Sequence, residues 1–143
     1  MTVLIDADGC PVVDITVNIC RLAGVECIII CDTAHVFNKV GAKTVVVSQG
    51  NDSVDFKLVN IIEKGDIVVT QDYGLAAMCL SRGAVPLNQN GMIYSDDNID
   101  GLLMQRHISK KIRMAGGCTK CLSKRTSEQN KSFEKTLRYL LHI

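Results

Sequence analysis

No stretch of the 143 residues is long and uncharged enough to make a membrane span. The first apolar run, Val3-Leu4-Ile5, is cut short by Asp6 and Asp8, so the hydrophobic region of a secretory signal cannot be drawn there. A cytoplasmic location without membrane contact is therefore the expectation. The chain also lacks the phosphate-binding fingerprints G-x-x-x-x-G-K and G-x-G-x-x-G, which disfavours nucleotide-dependent enzymes of those types. Internal repeats and low-complexity segments are missing as well. A disulfide framework is not expected, because seven cysteines is an odd number and Cys20, Cys27, Cys31 and Cys79 fall in apolar segments where a free thiol acts as a small hydrophobe. Cys118-x-x-Cys121 has the spacing of half a zinc knuckle, but no second Cys/His pair follows at the usual distance, so it reads as two exposed thiols.

What remains is a chain that is 47% hydrophobic and of the commonest single-domain size. Short β-branched runs alternate with helical stretches and are punctuated by glycine, the pattern of a parallel sheet covered by helices. Strands are predicted at Val3–Ile5, Glu26–Cys31, Thr44–Val47, Ile67–Thr70 and Ala84–Leu87, each nearly continuous in apolar residues as burial on both faces requires. Pro11 is predicted in the first turn of a helix that stops at Gly24, and Ser53 as the cap of a helix from Val54 to Glu63. A short helix should follow Asp72, and a longer one should begin at Ser95 or Asp96 and end at Gly116-Gly117. Thr126 and Gln129 make a capping-box pair for a last helix with Phe133, Leu137, Leu140 and Leu141 on its apolar face.

The chemistry is expected where strands end. Asp6-x-Asp8 closes the first strand and Asp72 stands just beyond the fourth; in an open α/β sheet both positions face the crevice outside the carboxyl ends. If those strands are neighbours, the carboxylates converge, and their mutual repulsion is relieved by a cation. Mg2+ or Mn2+ takes such oxygen ligands, whereas zinc prefers His or Cys. Asp52 and Asp55, one turn apart where a helix opens, are further candidates, although an acid at a helix start also complements the dipole. Ser53, Thr70 and Gln71 have the polarity to orient a water or phosphate, and serve equally well as turn residues. Cys10, before Pro11 at a helix start, would have a lowered thiol pKa if it were a nucleophile; a small buried thiol explains it as well. His35 follows the second strand and reads as a loop histidine.

The charge is uneven. Residues 1–103 carry 13 Asp/Glu against 6 Lys/Arg, and residues 104–143 carry 2 against 10. Arg106, Lys110, Lys111, Arg113, Lys120, Lys124, Arg125, Lys131, Lys135 and Arg138 thus form a basic segment from about residue 104, with Lys110, Lys111, Arg113, Lys120, Lys124 and Arg125 the candidates for contact with RNA or DNA.

Taken together, Ile5-Asp6-Ala7-Asp8-Gly9-Cys10-Pro11-Val12, Asp32-Thr33-Ala34-His35, Gly50-Asn51-Asp52-Ser53-Val54-Asp55, Gly65 through Asp72 and Arg113 through Thr119 resemble the YaiI/YqxD family, which is classed with PIN-like domains. The resemblance runs over nearly the whole chain. It implies a single PIN-like domain over residues 1–143, three-layered, with a central, mostly parallel sheet of about five strands flanked by helices. It also implies an acidic pocket suited to metal-dependent nuclease chemistry, with Asp6, Asp8, Asp55 and Asp72 where the family pattern has its acids. One departure is visible: the family tends to read Gly-Gly-x-Thr-x-Gly-Pro, whereas here Gly116-Gly117-Cys118-Thr119-Lys120 runs into Cys121-Leu122. Three functions are compatible with these residues: a metal-dependent phosphodiesterase on RNA or DNA, a non-catalytic nucleic-acid-binding module, and a small-molecule phosphatase or nucleotide-processing enzyme.

Overall fold

Along β1 (Thr2–Asp6), Val3 and Ile5 enter one core and Leu4 the other, as the two-residue period of a strand requires. The same alternation holds in β2 (Glu26–Asp32), where Cys27, Ile29 and Cys31 face the first core and Ile28 and Ile30 the second. It recurs in β4 (Ile67–Val69), where Val68 alone turns to the second core. The computed structural model describes residues 1–33, 36–48, 53–114 and 124–143, with the backbone alone at residues 53, 106, 109, 110 and 112–114.

With β3 (Lys43–Val47) and β5 (Val85–Leu87), these strands form an all-parallel sheet in the order β3-β2-β1-β4-β5. The first core lies between the sheet and α1 (Val13–Ala23) with α5 (Ser127–Leu141), whose Phe133, Leu137 and Leu141 are buried there. The second lies under α2 (Ser53–Ile61) and α3 (Tyr73–Ser81), through Leu58, Leu75 and Cys79. A third cluster, of Ala76, Tyr94 and Ile99, joins α3 to α4 (Asp96–Met114). This is the expected three-layer α/β arrangement, with parallel pairing throughout. Among the described residues no helix is long and apolar enough to cross a membrane.

The helix ends follow their local chemistry. Gly24 adopts φ +68° and returns its N–H to Arg21, closing α1 where the sequence predicts. Thr126 and Gln129 cap α5 reciprocally, also as predicted. Pro11 differs: it lies in the turn before α1, because the chain leaving β1 first folds back through a Cys10 N–H to Ala7 C=O bond of 3.1 Å. Ser53 is the first residue of α2, one place inside its predicted position. At the amino rim of the sheet, the buried Asp66 accepts from the backbone N–H groups of Thr2, at 3.0 Å, and Glu63, at 2.9 Å, tying the start of β1 to the approach to β4.

Candidate functional site

The chain builds outward from β1 to β2 and β3, then crosses back to place β4 on the other flank of β1. The strand order therefore reverses between β1 and β4, and the crevice beyond their carboxyl ends is where open α/β sheets bind ligands. Asp6 ends β1 at this point. Ile5 pairs with Val69, so the next position on the β4 side is Thr70.

Thr70 is 1% exposed, and its hydroxyl joins the two strand ends. It donates to Asp6 Oδ2 at 2.9 Å and accepts the backbone N–H of Asp72 at 3.0 Å. Its carbonyl accepts the hydroxyl of the buried Tyr94 at 3.2 Å. Tyr94 in turn packs edge-on against Tyr73, with ring centroids 6.0 Å apart. Gln71 clasps the facing loop by donating from Nε2 to the Gly9 carbonyl at 2.9 Å. Asp72 caps α3, its Oδ1 accepting from Gly74 N–H at 2.8 Å and Leu75 N–H at 3.2 Å. The capping role is real, and it fixes the carboxylate at the rim.

Electrostatics tie the acids into one group. Burial pushes the Asp6 carboxyl up from its ordinary 3.8 to about 6; the Thr70 hydrogen bond opposes this, and the charges of Asp72 and Asp8 add to it. Asp6 thus lies within reach of the charges of both Asp72 and Asp8. Asp55, half-buried in the first turn of α2, is connected through Cys79: burial, then the charge of Asp55 and then that of Asp6, together raise that thiol to about 12. Asp32, which ends β2 at the same rim, was visible in sequence as a strand-end acid but not singled out as a ligand.

Among the described residues, no three His, Cys, Asp or Glu side chains already stand in a metal-ligating group. A hard cation that keeps several waters needs only one or two carboxylates, and the all-oxygen donors at Asp6 and Asp72 suit Mg2+ or Mn2+ on that count. Cys10 is not activated. Burial raises its thiol to about 11, with the Val12 backbone bond opposing, the Asp6 charge adding and the Arg125 charge opposing. Cys10 also lies in the turn ahead of α1 and not in its first turn, so the lowering that a helix start would bring is not supplied.

The basic candidates separate. Lys111, on α4, and Lys124, ahead of α5, are exposed. Lys110 and Arg113 belong to α4 by backbone. Lys120, Cys118, Cys121, His35 and Asp52 lie outside the described residues. Arg125 turns inward: Nε donates to Asn130 at 2.7 Å, Nη1 to Asn90 at 2.8 Å and Nη2 to the Gln89 carbonyl at 2.5 Å. Its planar fork staples the start of α5 to the loop after β5, and its charge still reaches Cys10 at the rim.

The family model DUF188, described as "Uncharacterized BCR, YaiI/YqxD family", matches residues 4–143. A UPF0178 protein of Exiguobacterium sibiricum is 52% identical over 141 residues, covering 99% of this chain and 96% of the relative. One from Ruminiclostridium cellulolyticum is 52% identical over 137 residues, covering 96% and 90%. One from Clostridium acetobutylicum is 43% identical over 143 residues, covering 99% and 97%. Among solved structures, Rae1 (YacP) from Bacillus subtilis is similar over 99% of this chain and 98% of that chain, at 16% identity and a TM-score of 0.47.

Proposed function

For this chain, which belongs to the YaiI/YqxD family, we propose a divalent-metal-dependent phosphodiesterase activity on RNA or DNA, carried by a PIN-like acidic crevice. The supporting observation is the buried Asp6 carboxylate at the switch point, bridged to the Asp72 backbone through Thr70 and raised to about 6 by burial, with the charges of Asp72 and Asp8 adding to the rise. Asp6 and Asp72 would hold Mg2+ or Mn2+, with Asp8 and Asp55 completing its outer surroundings. Such an ion lowers the pKa of water and stabilises charge on a leaving phosphate oxygen. The remaining work belongs to the chain. Thr70 fixes the Asp6 carboxylate and the backbone of Asp72 relative to each other. Gln71 holds the Gly9 loop against the rim.

The test is cleavage of end-labelled single-stranded RNA in Mn2+ or Mg2+. Wild type should cut and lose activity in chelator. Asp6→Asn and Asp72→Asn should fall by at least about a hundredfold, the scale on which removing a preorganised charge acts. Cleavage unchanged in both variants would sink the proposal. The second reading is a nucleic-acid-binding module without turnover, favoured by the exposed basic side chains of Lys111 and Lys124. It requires affinity for RNA with no cleavage in either ion.

A further inference from the structure

Three tyrosines occur in the chain. Two of them, Tyr73 and Tyr94, pack against each other, while Tyr139 on α5 is 74% exposed. An aromatic ring left in water on a helix surface gives up burial that a core position would supply. Tyr139 borders a groove of about 480 Å³, whose other lining residues are Gly91, Ile93, Ser132, Lys135 and Thr136. The groove floor is set by a close approach. Gly91, at φ +87°, lies so near α5 that a Cβ would come within 2.6 Å of the Ser132 carbonyl oxygen, and Thr136 Oγ1 donates to the Gly91 carbonyl at 2.8 Å.

Lys131, Lys135 and Tyr139 are spaced four residues apart and so share one face of α5, with Arg138 beside them. Lys131, Lys135, Arg138 and Tyr139 are all exposed. The stripe combines cations one helical turn apart with a flat ring. Cations alone would suit any polyanion, but a ring among them adds a stacking platform, and stacking requires a base whose face is unpaired. The helix also has a direction. Its first turn is stapled by Arg125 to Gln89 and Asn90, in the loop that leaves the carboxyl end of β5, so the stripe begins at the carboxyl rim.

We infer that the outward face of α5, Lys131, Lys135, Arg138 and Tyr139 with the groove over Gly91, binds single-stranded nucleic acid, the lysines and arginine on phosphates and a base on Tyr139. This deepens the hydrolytic proposal by naming an unpaired polymer as the substrate; it rests on that proposal for delivery to Asp6 but not for binding. The experiment is fluorescence anisotropy of short labelled oligo(U) and oligo(dT) in EDTA, where no divalent chemistry occurs. Wild type should bind at least one of the two, and the tighter one identifies the sugar. Tyr139→Ala should weaken that binding about five- to hundredfold while Tyr139→Phe stays near wild type. The double variant Lys131→Gln, Lys135→Gln should reduce the slope of log affinity against log salt by about 1.4. No binding of either oligonucleotide, a Tyr139→Ala variant that binds like wild type, or equal displacement by duplex or by polyglutamate would overturn the inference. Binding that meets these terms with no cleavage in Mn2+ removes the hydrolytic proposal alone. Cleavage at limiting substrate that proceeds as fast in Tyr139→Ala as in wild type removes this surface alone.

Discussion

The hydroxyl of Thr70 stands between Asp6 and Asp72, 2.9 Å from the Oδ2 of the first and 3.0 Å from the backbone nitrogen of the second. One buried side chain thus joins acids that stand nearly half the chain apart in sequence.

Thr70→Val keeps the shape and removes that link. The Asp72 N–H loses its acceptor and Asp6 its donor, which should cost about 1–3 kcal/mol in urea unfolding. Thr70→Ser should recover most of the loss. Divalent-ion affinity, read by calorimetry, should fall in Thr70→Val and return in Thr70→Ser; equal affinity in all three would show that Thr70 does not position the acids.

Asp6→Asn should make the metal-free protein more stable near pH 7.5. The folded-state pKa of about 6 lies above the ordinary 3.8, so the native chain holds the proton more tightly than the unfolded one. Stability from this group is therefore full below about pH 4 and is lost as pH rises through 6. The difference corresponds to at most about 3 kcal/mol. Asn cannot ionise, so the variant's advantage should be absent near pH 4, grow as pH rises toward 6 and be complete above it. Adding Mg2+ or Mn2+ at pH 7.5 should raise the unfolding midpoint of wild type only. A variant less stable than wild type at both pH values would contradict the burial that holds the Asp6 carboxyl near 6.

Asp66→Ala should behave in the opposite way. This acid lies at the amino rim and accepts two backbone N–H groups, so its removal leaves both without their partner. A loss of about 1–3 kcal/mol is expected, with divalent-ion affinity unchanged once the protein is folded. A variant that folds well yet no longer binds the ion would place the metal at the wrong end of the sheet.

Cys10→Ala should retain both ion binding and any hydrolysis. A thiol held near 11 is almost entirely protonated at pH 7.5, so alkylation of Cys10 should be slow compared with a small free thiol. Rapid labelling of Cys10 together with loss of activity in the alanine variant would restore it as a nucleophile.

Much of this molecule can be read from its letters because the signals are local. The apolar runs at Val3–Ile5 and Ile67–Val69, the glycine after α1 and the Thr126/Gln129 pair each announce an element through residues close in sequence. Asp6, Asp8 and Asp72 were legible for the same reason, since a strand end dictates which rim an acid occupies. What could not be read depends on pairing across the chain. Asp66 and Asp72 flank the same strand, yet one is fixed by Thr2 at the amino rim and the other by Thr70 at the carboxyl rim. Arg125 looks like one more cation in a basic segment until Asn90, 35 residues earlier, is found against it. The role of Thr70 likewise depends on the register that sets β4 beside β1.

The seat of α5 has a mechanical consequence. Its first turn is anchored through Arg125, and its middle rests on a position where even one added carbon would collide with the helix backbone. Such a contact keeps α5 from settling any closer to the loop after β5, so the seat of its outer surface is set by backbone and not by pliable side chains. A polymer gripped there would be measured as by a ruler, and its fragments would fall in a narrow band of lengths rather than a smear.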